Sequence, residues 1–350
     1  MLRREFLGAL AASPLAFSLP GCASRNAVVM TVKGPVDTSA MGMTLAHEHL
    51  YADVRPYDEQ TAHRIVPDAD AVVAVLMPHL RRLKAAGCRT LVDCTATTLG
   101  RDPALIRRLS EESGLHMLTV TGAYVAAGGR FVPSYVKEED DARLAARWIG
   151  EWRDGIDGTG VRPGLIKLGI ENDPLSEIER KVLRAAARTH LESGLVIAAH
   201  TGPWGEVEPG RNARCALAQL GLLEGLGLAP SAWIWVHAQN EVQGEHHLAA
   251  ARRGAWVSFD GFRPGQEGQY VAMLRRMADA GLLGRVLLSQ DAGWYNAGQP
   301  GGGDFEPYDP LFTALLPELR RNGFDDDAIT TLMIRNPAGA FAVGVRKRYS

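Results

Sequence analysis

The sequence predicts an α/β fold, a (β/α)8 TIM barrel with a short N-terminal β-hairpin, on three observations. Eight short apolar runs alternate with longer segments of helical spacing. The runs lack strict polar/apolar alternation, as strands covered on both faces do. No Gly-rich phosphate loop follows an early run, which sets aside the open doubly wound sheet.

The elements follow in order. Val28 to Val36 reads as a short strand ending in a Gly34-Pro35 turn. The eight barrel runs are Met43–His47, Thr90–Cys94, Met117–Thr121, Leu165–Leu168, Val196–His200, Trp233–Val236, Trp256–Phe259 and Val286–Leu288. Between them, Ala69–Ala86 carries Val72, Val73, Leu76, Leu80 and Leu83 on one helical face, with Arg81, Arg82 and Lys84 outward. Pro103–Ser113, Asp140–Trp152, Glu177–Glu192, Arg211–Leu226, Val242–Arg252 and Tyr270–Ala280 have the same character. Glycines suited to C-caps follow several of them, at Gly87, Gly114, Gly194, Gly254 and Gly281. Gln299–Gly303, after the eighth run, reads as a flexible loop.

Composition narrows the function. The 350 residues hold 38 Lys+Arg against 40 Asp+Glu, a net charge of −2 that offers no basic face for nucleic acid. Hydrophobic residues at 46% and charged residues at 22% exclude disorder over the whole chain. The four cysteines include no zinc-type pair and are too few for a disulfide scaffold. No apolar run has the length of a membrane span.

Residues 1–25 are different in kind. Arg3-Arg4-Glu5-Phe6-Leu7 opens a mild apolar stretch that ends in Leu19-Pro20-Gly21-Cys22. The paired arginines resemble a twin-arginine export signal, and the Leu-x-Gly-Cys step resembles a lipoprotein cleavage box. The expectation is a periplasmic protein, anchored to the membrane through a lipidated Cys22, with residues 26–350 forming a single barrel domain.

In such a barrel the site lies where the strands end. His47 and His49 close the first run, two apart and so on one side of a strand. His200 ends the fifth, His237 follows the sixth, and Asp291 follows the eighth. Imidazole and carboxylate together suit divalent metals such as zinc, iron, nickel, cobalt or manganese. Lys167 stands inside the apolar fourth run, where an ammonium costs several kcal/mol unless paired or neutralised. Reaction with carbon dioxide would convert it to an anionic carbamate able to bridge two metals. His63, His79, His116, His190, His246 and His247 fall in helices or away from the strand ends and read as structural or solvated.

Taken jointly, these residues resemble the phosphotriesterase family of the amidohydrolase superfamily, from about Val28 to the C-terminus. The resemblance rests on Met43-Thr44-Leu45-Ala46-His47-Glu48-His49-Leu50, Gly100-Arg101-Asp102, Leu165-Ile166-Lys167, His200-Thr201-Gly202, Ser289-Gln290-Asp291 and Asn336-Pro337-Ala338. Thr121-Gly122-Ala123-Tyr124 is similar to the lactonase-like members. The resemblance implies two divalent ions, zinc first, with manganese, cobalt or iron as alternatives. His47, His49 and Asp291 would hold the more buried ion, and His200 and His237 the more exposed one. N6-carboxylysine at Lys167 and a hydroxide would bridge them. The hydroxide would attack an ester-type centre, with Asp291 taking its proton and Tyr124 hydrogen-bonding the small-molecule substrate. A homodimer is implied as well.

The family usually has an Asp and a His in a proton relay after the sixth and seventh strands. Here Asn240 and Gly261 take those positions, leaving Glu241 or solvent to carry the proton. Tyr124, Phe131, Trp204, Phe262, Trp294 and Tyr295 are expected to line a pocket for an apolar or ring-shaped substrate. Arg130, Glu171, Glu206 and Arg263 are expected to add polar recognition. The reading is an exported binuclear hydrolase acting on a lactone or other carboxylic ester. Its alternatives are an amidase or phosphotriesterase on the same site, a mononuclear deaminase-like enzyme, and a non-catalytic exported binding protein.

Overall fold

The computed structural model describes residues 27–202 and 208–348. The export segment with Arg3, Arg4 and Cys22 lies outside the described residues, as do Trp204 and Glu206. Strands β1 (Val28–Thr31) and β2 (Gly34–Asp37) form an antiparallel hairpin. Its turn falls at Val32-Lys33 rather than at Gly34-Pro35, because Gly34 and Pro35 pair with Thr31 and Met30. The Thr31 hydroxyl donates to the Gly34 carbonyl at 2.7 Å and tightens that turn. Pro35, with no N–H, is tolerated in so exposed a strand.

The barrel staves are β3 (Met43–Ala52), β4 (Cys88–Asp93), β5 (His116–Leu118) with β6 (Val120–Tyr124), β7 (Leu165–Ile170), β8 (Ile197–Thr201), β9 (Trp233–Val236), β10 (Trp256–Phe259) and β11 (Val286–Leu288). Each pairs in parallel with its neighbours in chain order. The third stave is broken where the sequence reads one run. β5 pairs with β4 and β6 with β7, while the carbonyl of Thr119 between them accepts from Gly164 N–H at 2.7 Å. In β6, Gly122 has φ +117°, and a Cβ there would collide with the carbonyl oxygen of Lys167. A glycine is therefore required where the third stave passes the lysine.

β12 (Gly293–Asn296), which the sequence reading took for pocket loop, runs parallel to β3 as an extra strand. Gln299–Gly303, expected as a flexible loop, is a hydrogen-bonded turn with Gly302 N–H on Gln299 O and Gly303 N–H on Pro300 O. The outer helices begin and end within three residues of their expected bounds.

Strand periodicity sorts the core into two. Ile166, Leu168, Ile197, Ala199, Trp233 and Trp235 face the helices, whereas Ala46, Val92, Leu165, Ala198, Ile234 and Leu287 fill the barrel. Lys167 shares the parity of inward Leu165. A register irregularity between Leu45 and Glu48 allows His47 to face inward directly after inward Ala46.

The ring closes between β3 and the residues after β11. His47 N–H donates to Ser289 Oγ at 2.9 Å, Asp291 N–H to His47 O at 3.0 Å and His49 N–H to Ala292 O at 2.9 Å. The fully buried Glu48 carboxyl accepts from Ser289 Oγ, Gln290 N–H and Ala292 N–H at 2.7, 3.0 and 2.7 Å. Burial pushes its pKa up to about 8 against the pull of those donors. The Gly100-Arg101-Asp102 turn is equally committed to structure. Arg101 bonds the Val120 carbonyl at 2.6 Å and forms a bidentate pair with Glu151, while Asp102 caps helix Pro103–Ser113 through Leu105 N–H.

His247, on helix Gly244–Arg253, donates from Nε2 to the Ala238 carbonyl at 2.8 Å and packs against Trp235 and Phe259. Burial lowers its pKa to about 4. The folded ring is therefore neutral, while the unfolded one gains a proton below about pH 6.5. Its stabilising effect is present above that pH and is lost as pH falls toward 4, on the order of 3 kcal/mol. Urea unfolding of the wild type and His247→Gln over this range should show a shallower pH slope in the variant. Equal slopes would remove His247 from the account.

Candidate metal centre

At the C-terminal ends of the strands lies a cavity of about 190 Å3. His47, His49, Lys167, His200, His237 and Asp291 all line it, together with Val54, Cys94, Leu99, Tyr124, Ala127, Phe131 and Trp294. The six donors expected from sequence are thus brought together, although they come from five staves and span most of the chain.

Each imidazole of the first stave is held by its Nδ1, which directs Nε2 into the cavity. His47 Nδ1 lies 3.2 Å from Asp260 Oδ2, and His237 Nδ1 lies 2.8 Å from Oδ1 of the same carboxylate. Asp260 also accepts the His237 backbone N–H at 3.0 Å. His49 Nδ1–H donates to Thr95 Oγ1 at 2.8 Å, and that hydroxyl donates to Asp93 at 2.9 Å. Burial opposes charge on Asp260, but the two imidazoles facing it, His237 first and His47 second, hold its carboxyl well below the usual range. Burial, followed by the Lys167 ammonium, lowers His47 to about 3. The ring therefore presents a lone pair at Nε2.

These inward atoms converge. Asp291 Oδ1 is 3.0 Å from His49 Nε2 and 3.5 Å from His47 Nε2, and Oδ2 is 4.0 Å from His237 Nε2. Two ligands about 2 Å from a tetrahedral zinc ion lie roughly 3.3 Å apart. Asp291 Oδ1 is buried and no hydrogen bond of acceptable geometry reaches it among the described residues. Lys167 Nζ is 3.0 Å from His47 Nε2. The rings of His200 and His237 meet edge to face at 4.6 Å. The donor set fits divalent metal, with Asp260 and Thr95 setting ring tautomers beneath it.

Local backbone strain aims these groups. His237 and Asp291 have φ of 62° and 53°, a left-handed conformation that turns each side chain inward as its strand ends. Trp294, at φ 62°, stacks on His49 with ring centroids 3.6 Å apart and donates its indole N–H to Asp291 O at 3.0 Å.

Several expected pocket residues go elsewhere. Arg130 is exposed, lies 5.5 Å from the Phe131 ring and reaches the Val54 carbonyl at 3.3 Å, outside the cavity lining. Arg263 ties down the carbonyls of Phe262, Gln290 and Asp291 and pairs with Glu306 at 2.6 Å. Phe262 packs on Tyr270 and Tyr295 on Tyr51, both off the cavity. Glu171 binds backbone N–H groups of Ala127 and Gly128.

The relay positions are equally diverted. Asn240 is exposed, and the Glu241 carboxylate takes N–H groups of Ala213 and Gln243. Gln239 fills the space beside Gly261: its Oε1 accepts Asp260 N–H at 3.1 Å, and a Cβ at Gly261 would collide with its Nε2. Cys94 contributes a buried thiol to the cavity wall.

The sequence reading missed Asp260, Thr95, Asp93 and Glu48 as supporting groups. The available signal for Asp260 was its position. It follows a barrel strand, as Asp291 does.

A profile of the Phosphotriesterase family matches residues 27–341. A "Phosphotriesterase homology protein" of Escherichia coli K12 is 29% identical, over 86% of this chain and 98% of its own. An "N-acetyltaurine hydrolase" of Homo sapiens is 25% identical, over 90% and 97%. Among solved structures, a mutant PTE-like lactonase of Deinococcus radiodurans superposes with a TM-score of 0.78 at 30% identity, covering 90% of this chain and 100% of that one.

Asp260→Asn tests the support beneath the donors. The two Nδ1–H groups face different oxygens of Asp260, one of which would become an NH2 that cannot accept, so one ring loses its fixed tautomer. Zinc affinity, measured by chelator competition, should fall about 10- to 100-fold with the fold intact. Unchanged affinity would assign Asp260 to the scaffold alone.

Proposed function

Because the chain belongs to the phosphotriesterase family, we propose that it is a metal-dependent hydrolase of small carboxylic esters, lactones above all. Two divalent ions, zinc first, would be held by His47, His49, Lys167, His200, His237 and Asp291. The observation that carries this reading is the cavity itself. Its six donors are backed by a wall of Val54, Cys94, Leu99, Tyr124, Ala127, Phe131 and Trp294, none of them charged. Placing a charged acyl group against that wall costs several kcal/mol, whereas a neutral ring costs none of it.

When bound, the metals would supply Lewis-acid polarisation and a nucleophilic water at neutral pH. The chain's own residues do the rest. Lys167 as an ammonium sits against His47 Nε2 and competes for it; as N6-carboxylysine it would offer oxygen donors instead. Burial works against the charge of Asp291, but His47, His49 and His237 lower its pKa, so it stays ionised and can serve as a metal ligand; in this reading it also receives the proton of the attacking water. Tyr124, with its ring 5.2 Å from His200 and 6.0 Å from Phe131, is placed to orient the substrate. With Gln239 filling the space beside Gly261 and Asn240 exposed, neither of the two relay positions carries an ionisable side chain. Proton release to solvent and weak phosphotriester turnover follow from this reading.

A second reading is hydrolysis of an amide with an anionic tail. It is favoured by the relatives named N-acetyltaurine hydrolase and by Arg130, an exposed cation beside cavity-lining Val54 and Phe131.

Protein loaded with zinc or manganese in bicarbonate should hydrolyse lactones faster than aryl esters, acyl amino acids or an aryl phosphotriester. Lys167→Ala should lose about a thousandfold or more in kcat, partly restored by short carboxylic acids. Faster cleavage of anionic amides than of lactones would install the second reading. Failure to bind any metal would favour a binding protein.

We also propose that residues 1–25 direct twin-arginine export and that Cys22 carries the lipid anchor. Arg3→Lys/Arg4→Lys should retain the protein in the cytoplasm, and Cys22→Ser should release it from membranes. Unchanged fractionation of both variants would overturn this.

A further inference from the structure

The loop after β6 has three successive residues of positive φ: Ala127 at 58°, Gly128 at 63° and Gly129 at 76°. Such a run can turn consecutive N–H groups toward one side and make a concave seat for an anion. Here the seat is filled by the chain itself. Glu171 Oε2 accepts from Ala127 N–H at 2.9 Å and Oε1 from Gly128 N–H at 2.7 Å. Ala127 is not a glycine, so this conformation needs something to hold it.

The holding arm is the better anchored of the two. Glu171 follows directly on β7, the strand of Lys167. Its own N–H is taken by Glu179 Oε1 at 2.8 Å, and the fully buried Glu179 also accepts from Asn172 and from Ser176 N–H and Oγ. The held arm is part of the cavity. Ala127 and Phe131 line it beside Tyr124; at the loop's far end Arg130 O accepts Tyr57 N–H at 3.0 Å, the Arg130 guanidinium reaches Val54 O, and Phe131 packs in a small cluster with Ala96, Leu99 and Tyr124.

We propose that Glu171 is the positioning residue that sets the size of substrate this cavity accepts, by holding Ala127 and Phe131 as its wall. The substrate consequence rests on the hydrolase reading above; the latch itself does not. Glu171 is neither one of the six donors nor part of the cavity lining, so its loss should alter fit rather than chemistry.

The test uses full-length, metal-loaded protein as wild type, Glu171→Ala and Glu171→Gln. Hydrogen exchange of the peptide covering residues 126–131 is measured together with metal content. KM and kcat are measured for a small lactone and for one bearing a bulky ring. In Glu171→Ala, exchange in this peptide should rise about tenfold with metal content unchanged. KM for the small lactone should rise about tenfold with kcat within about threefold, and discrimination against the bulky lactone should fall. Glu171→Gln, which keeps one acceptor oxygen, should lie between and decides the question if the alanine variant does not fold. Unchanged exchange with unchanged discrimination would overturn the proposal, as would a fall in kcat with loss of metal at constant KM. If the wild type cleaves neither lactone, the hydrolase reading fails and the exchange result alone decides whether the latch exists.

Discussion

A (β/α)8 ring has to close, and here a buried carboxyl group stands at the join. Glu48 leaves β3 on the side away from the cavity and accepts Ser289 Oγ, Gln290 N–H and Ala292 N–H from the far end of the chain. Unpaired, those N–H groups would each carry a desolvation penalty, as would the carboxyl itself. Met together, they fix the height of the last stave against the first. His47 and His49 flank Glu48, while Asp291 lies between Gln290 and Ala292, so the same bonds set the spacing of three metal-ligand candidates. The Tyr308 hydroxyl, donating to the His49 carbonyl at 2.7 Å, braces the join from outside.

A layer of acids beneath the donors repeats this economy of parts. One carboxylate, Asp260, orients imidazoles from two different staves, and Asp93 orients a third ring through Thr95 while also accepting Leu50 N–H. Burial pushes Asp93 up to about 7. Each ring is thereby given one tautomer before any ion arrives, which lowers the reorganisation that binding would require. The cavity walls are built on the opposite principle. They are apolar, and much of them, Val54, Leu99, Ala127 and Phe131, lies on segments that follow the strands, so their shape can vary without disturbing the floor.

This division explains what could be read in advance. The staves were legible because buried parallel strands are apolar on both faces, and the donors because His, Asp and a buried Lys are conspicuous at strand ends. Asp260 was not, since nothing in Phe259-Asp260-Gly261 shows that its oxygens reach rings on β3 and β9. Arg130 and Arg263 were misplaced because loop direction has no periodicity to reveal it. The break at Thr119 depends on Gly164, a partner distant in sequence. The sequence shows that Gly261 stands where a relay histidine would, but only the folded chain shows that Gln239 occupies the vacated space.

The join also bears on how the protein is made. A chain growing from its N-terminus presents β3 early, but the residues that cover its open side are 289–296. For most of translation the first stave has an uncovered parallel edge, with the unpaired backbone groups that can recruit other chains. Parallel pairing between distant segments is also slow. The period of greatest risk for this molecule therefore falls before it has a site at all, and ends only when its last stave emerges.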